Sequence, residues 1–175
     1  MKALLVLSYP NISRADFEWI QAIRKKHDEL YFNVVDPHFT LVFPVFDVDQ
    51  ETSVAHVKEQ SKHIASFDFV IRCAVLSNDL FTGYTHVFLA PDEGYSKIVK
   101  LHDRLYTGLL KKNLRLDIPF IPHIGIANAV DPNVCKQLVD ELNAQNFEIK
   151  GKVDALDLIW YENDQVGTIE RIALS

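Results

Sequence analysis

Two stretches decide how this chain reads: Pro37-His38-Phe39-Thr40-Leu41-Val42-Phe43 and Pro122-His123-Ile124-Gly125-Ile126-Ala127. Each opens with proline, places a histidine next and continues in aromatic or β-branched residues, the composition of a strand. Successive side chains on a strand point to opposite faces. His38 and Thr40 therefore share one face, and Phe39, Leu41 and Phe43 share the other, which belongs to the core. His123, Gly125 and Ala127 are likewise set against Ile124 and Ile126. Each strand aims an imidazole away from its own core.

The same order of elements surrounds both strands. Lys2 to Tyr9 reads as a buried strand ended by Pro10 and Asn11. A helix follows, with Ser13 as N-cap, Asp16 in the capping-box position, and Phe17, Ile20 and Ile23 or Arg24 at helical spacing. After His38 to Phe43, closed by Pro44, come a helix from Asp49 to Ala65 and a strand from Phe67 to Leu76. The second half gives a strand from Tyr84 to Ala90 ended by Pro91 and a helix from Tyr95 to Lys112. The Pro122 strand follows, then a helix from Pro132 to Ala144 begun by Asp131, strand-like sequence from Phe147 to Trp160, and a last strand from Gly167 to Leu174. Pro10 precedes His38 by 28 residues and Pro91 precedes His123 by 32. Order, spacing and the shared Pro-His dipeptide point to an internal duplication.

At 175 residues, 48% hydrophobic and 24% charged, the chain can bury a core without disulfide or metal staples. Its net charge of −6 argues against a general duplex-binding surface. Cys73 and Cys135 match no metal-ligand spacing; they read as packing residues in a reducing compartment. The apolar run Ala3-Leu4-Leu5-Val6-Leu7 is too short for a signal peptide, and no run approaches the roughly 20 apolar residues that span a bilayer. The cytoplasm is the expected location.

If a pseudo-two-fold axis relates the halves, His38 and His123 face one groove. Near neutral pH one imidazole can accept a proton while the other donates one, which in-line attack at phosphorus requires. Thr40, two residues after His38, could hold a phosphate oxygen. No carboxylate cluster or HExxH-like spacing suggests a metal, so no metal or cofactor is expected. His27, His56, His63, His86 and His102 read as surface or packing residues. Lys25-Lys26 and Lys111-Lys112 with Arg115 read as charges near helix C-termini. Tyr9, Phe81, Tyr84, Trp160 and Tyr161 are candidates to stack on a base.

These residues resemble the two-histidine (2H) phosphoesterase superfamily, which includes 2′,5′-RNA ligase-like proteins and cyclic phosphodiesterases and is marked by two H-x-[ST]-x motifs. His38-Phe39-Thr40-Leu41 matches the motif in full, whereas His123-Ile124-Gly125-Ile126 has Gly125 where the family has Thr or Ser. The resemblance implies an α+β fold of two pseudo-symmetric lobes, each an antiparallel sheet with helices outside, around a central groove. Residues 1–175 then form one domain, with duplicated lobes of roughly 1–80 and 81–175 and strand exchange between them left open. It implies His38 and His123 as the acid and base pair, without assigning which is which, Thr40 as a phosphate-binding residue, and Gly125 as the equivalent position without its hydroxyl. The implied activity is phosphodiesterase chemistry on a 2′,3′-cyclic phosphate or 2′,5′-phosphodiester of a nucleotide or RNA end. The alternative raised by Gly125 is a non-catalytic nucleotide- or RNA-binding protein using the same groove. Duplex DNA and membranes are not expected partners, and a monomer is assumed.

Overall fold

Among the described residues, side-chain caps set where three of the four α-helices begin. Ser13 accepts a hydrogen bond from the Asp16 N–H ahead of α1 (Arg14–His27). Asp49 does the same from Thr52 ahead of α2 (Gln50–Ser61), and Asp131 from Asn133 ahead of α4 (Pro132–Asn143), where Pro132 occupies the first turn. Helix α3 (Tyr95–Leu105) starts instead from Gly94, whose φ of 80° is open to glycine. The computed structural model describes residues 2–79 and 82–175, so Phe81 lies outside the described residues.

The strands are β1 (Ala3–Ser8), β2 (Asn11–Ile12), β3 (Phe39–Val45), β4 (Phe67–Asn78), β5 (Thr85–Glu93), β6 (Ile124–Ala129), β7 (Ile149–Val153), β8 (Ala155–Glu162) and β9 (Gln165–Ala173). They form one antiparallel sheet in the order β2-β7-β4-β5-β6-β3-β1-β8-β9, giving an α+β fold. The chain passes from β7 to β8 through Asp154 alone and from β1 to β2 through Tyr9 and Pro10. The sheet therefore curls, bringing its two ends together. The Asn11 side chain donates to Asp154 at 3.3 Å, and the Leu174 N–H donates to the Asp154 carbonyl at 2.8 Å. Across the curl, the Phe39 and Phe69 rings meet edge to face at 5.1 Å inside the apolar core.

Several elements depart from expectation for local reasons. Pro44 does not end β3. Beyond Phe39 the strand has lost β6 on one side, so a missing N–H costs no ladder bond there. Helix α3 covers that open side: the Phe43 N–H donates to the Tyr106 hydroxyl at 2.9 Å, and His102 Nδ1 donates to the Leu41 carbonyl at 2.8 Å. Pro91 lies inside β5, next to register irregularities against β4, where proline is tolerated. The helix expected through Lys112 ends at Leu105; Gly108, at φ 52°, opens a separate 3₁₀ turn over Gly108–Asn113. The stretch expected as one strand from Phe147 to Trp160 is β7 and β8, divided at Asp154 where the chain changes neighbours.

Candidate active site

Strands β3 and β6 meet at a single pair, Phe39 opposite Ile124. Carried one residue either way, this antiparallel register sets His38 across from Gly125 and Thr40 across from His123. Directly opposed residues point to the same face. The four positions named by the motifs thus form one cluster where the two strands begin. Packing from outside holds this crossing: α1 lies against β6 and α3 against β3.

Both imidazoles are tied down alike. His38 Nδ1 lies 2.7 Å from the Asp36 carbonyl, and His123 Nδ1 lies 2.5 Å from the Ile121 carbonyl. A carbonyl only accepts, so each Nδ1 carries the proton and each Nε2 is left for chemistry. The buried Pro37 and Pro122 stand between carbonyl and histidine and favour an extended conformation at Asp36 and Ile121. Since the β3 and β6 ladders start after the histidines, the side chains take these two carbonyls.

Burial is the main influence on both rings and lowers each pKa to about 4, against a smaller upward pull from its carbonyl partner. His123 is lowered further by His38 and His86, which places the imidazoles within electrostatic reach of one another. Both are neutral at pH 7 without a bound anion.

Aromatic rings frame the pair. Phe88, the cross-strand partner of Gly125, lies nearly parallel to His123 with centroids 3.5 Å apart and planes at 14°. His86 continues the stack at 5.8 Å, and its Nε2 lies 3.9 Å from an Asp79 carboxylate oxygen. Tyr9 meets His38 edge-on at 6.1 Å. A Cβ built on Gly125 would have nothing within 4 Å. The half-buried Thr40 hydroxyl makes no hydrogen bond among the described residues.

His38, Thr40, His123 and Gly125 are therefore brought together. Among the other histidines, His56 and His102 are buried and bonded to backbone carbonyls, His63 is exposed and His27 is half-buried. His86, expected at the surface or in packing, stands on the histidine face beside Phe88. Alternation along β5 carries the signal that finds both: Thr85, Val87 and Leu89 are buried, so His86 and Phe88 point the other way. Of the aromatic candidates, Tyr9 reaches the site. Tyr161 donates its hydroxyl to Asp164, Trp160 lies under Lys2, and Tyr84 is half-buried beside the β4–β5 turn. Among the described residues, no three His, Cys, Asp or Glu side chains group to hold a metal ion. Among the same residues, no helix is long and apolar enough to cross a membrane.

Two histidines at the paired starts of two strands in a curled α+β sheet define the two-histidine phosphoesterase class. Residues 12–165 match the 2′-5′ RNA ligase superfamily, and the chain belongs to that family. It is 25% identical over 148 residues to "Putative phosphoesterase OB1230" of Oceanobacillus iheyensis, covering 85% of this chain and 84% of that protein. Escherichia coli LigT complexed with 3′-AMP shares the fold with a TM-score of 0.64 at 16% identity, over 99% of this chain and 98% of the other. TT0787 of Thermus thermophilus shares it with a TM-score of 0.63 at 15% identity, over 98% and 97%.

Proposed function

We propose that this protein is a metal-independent phosphodiesterase acting on a 2′,3′-cyclic phosphate or a 2′,5′-phosphodiester of a nucleotide or RNA end, in the cytoplasm. The observation that carries this reading is the matched anchoring of His38 and His123 through Nδ1, which leaves two Nε2 atoms for proton transfer. The structures of LigT with 3′-AMP, ATP and NADP+ support a nucleotide-type ligand. In the reaction, one neutral imidazole takes the proton of the attacking water as its oxygen bonds to phosphorus. The other, protonated, gives its proton to the leaving ribose oxygen as the P–O bond breaks, and a phosphomonoester and a free ribose hydroxyl result. Thr40 donates its hydroxyl to a non-bridging oxygen as charge builds there.

The test is turnover of 2′,3′-cyclic nucleotides and 2′,5′-linked dinucleotides in EDTA, followed by chromatography. Cleavage abolished by His38→Ala and by His123→Ala is expected; no cleavage, or cleavage indifferent to both substitutions, refutes the proposal. Gly125 favours a second reading, a nucleotide- or RNA-binding protein without turnover. Nucleotide binding weakened by His38→Ala, with no product formed, would select it.

A further inference from the structure

Charges around the histidine face are arranged against a polyanion. Asp79 sits on His86 at the end of the ring stack that begins at His123. Asp164 accepts the Tyr161 hydroxyl at 2.6 Å. The Tyr31 N–H donates to an Asp28 carboxylate oxygen at 3.0 Å, and burial raises the Tyr31 phenol pKa, with Asp79, Asp28 and Asp164 raising it further. Tyr9, beside His38, is pushed up to about 12 by burial and then by Asp157 and Asp36.

Two cations near this face, Arg171 and Arg24, are neutralised. Thr40 lies opposite Leu7, Leu7 opposite Asp157, and Asp157 opposite Arg171, so Arg171 shares the histidine face. Asp157 holds its guanidinium at 2.8 and 3.1 Å, and Asp154 lies 3.6 Å away. Arg24 is buried and bound to Asp28 at 2.9 Å. By contrast Lys97, Lys100 and Arg104, which have no carboxylate partner among the described residues, line a cleft with Ile64 and Phe67 on the helix side. A nucleic-acid strand held here would lay its further phosphates among carboxylates instead of along cations. What flanks the histidines is aromatic: Tyr9 on one side and the Phe88–His86 stack on the other, surfaces suited to a single nucleoside.

Building on the phosphodiesterase reading, we propose that the groove selects a mononucleotide-sized phosphodiester, of the class of nucleoside 2′,3′-cyclic monophosphates, and rejects an RNA strand carrying further phosphates. Initial rates test this with a nucleoside 2′,3′-cyclic monophosphate and a short single-stranded oligoribonucleotide ending in the same cyclic nucleotide, each at low and high salt. At low salt kcat/KM is expected to favour the mononucleotide by about tenfold, and the gap to narrow as salt screens the carboxylates. An oligonucleotide equal or preferred at low salt, and losing rate as salt is added, overturns the proposal.

If neither compound is cleaved, the phosphodiesterase reading falls by itself. Size selection is then read by calorimetry with a nucleoside 3′-monophosphate and the matching 3′-phosphorylated oligonucleotide. Tighter binding of the mononucleotide supports it; equal or tighter binding of the oligonucleotide, or no binding of either, overturns it.

Discussion

Replacing Gly125 by threonine tests the site most directly, because it supplies the hydroxyl that the second motif lacks. An added Cβ meets no atom within 4 Å, and the residue is not in the left-handed region, so the side chain enters without strain. The β3–β6 register puts the new hydroxyl across from His38, as Thr40 lies across from His123. A hydrogen bond to a charged group contributes about 1.5–3 kcal/mol, which is about a 10- to 150-fold rise in kcat/KM if it forms to the phosphate in the transition state. Relief of a strand glycine adds about 0.5–1 kcal/mol of stability independently of catalysis. Gly125→Ala separates the two effects: it should bring the stability gain without the rate. Thr40→Val should lose a similar rate factor, and Gly125→Thr combined with Thr40→Val should recover part of it. The assay is kcat/KM on a 2′,3′-cyclic nucleotide beside thermal unfolding of each variant. A Gly125→Thr protein that melts higher yet cleaves no faster refutes the placement of position 125 against the phosphate.

Four further outcomes follow from the same geometry. His38 and His123 are lowered from 6.5 to about 4, so the unfolded chain binds protons first as pH falls. The resulting stability is whole above pH 6.5 and is lost toward pH 4, by up to about 3 kcal/mol per ring; a His38→Ala/His123→Ala protein should lose less between those limits in chemical denaturation. The same shifts place the apparent pKa of the pair near 4, so kcat/KM should fall about tenfold per pH unit on its alkaline side, and a flat profile from pH 5 to 8 would refute this. Phe88→Ala removes the ring stacked on His123, a contact of about 0.5–1.5 kcal/mol; kcat should drop about two- to tenfold, and the His123 ring protons should move in the NMR spectrum. Arg24→Met leaves Asp28 buried without its ion pair and should cost about 3–5 kcal/mol in urea denaturation, partly restored by adding Asp28→Leu.

What the sequence disclosed depended on whether a signal was local. Ser13, Asp49 and Asp131 cap helices through side-chain bonds to residues two or three positions on, so a short window holds the whole interaction. The Pro-His dipeptides were equally readable, since proline, carbonyl and imidazole span three residues. Pro44 and Pro91 misled because their tolerance comes from elsewhere: an absent neighbour on one side of β3, and an irregularity in the β4–β5 ladder. The two-residue strand β2 had no periodicity to read and exists only by pairing with Gly151 and Lys152. His86 and Phe88 were hidden for a related reason: their alternation is visible in β5, but its meaning depends on which strand lies beside it.

The manner of anchoring explains how one groove can accommodate two neighbouring imidazoles. A carboxylate partner would raise each pKa and favour two buried positive rings close together; a neutral carbonyl orients the ring with much less of that effect. With burial prevailing, both rings stay uncharged in the free protein and mutual repulsion is avoided. On the proposed mechanism, an arriving phosphodiester brings the negative charge that makes protonation of one ring favourable, so the acid is created by the ligand it acts upon. Neutral rings also leave the empty groove without attraction for anions in general, which agrees with the carboxylates around Tyr9 and Tyr31. On that reading selectivity and catalysis share one cause: the site becomes cationic only where a single phosphate can reach both Nε2 atoms.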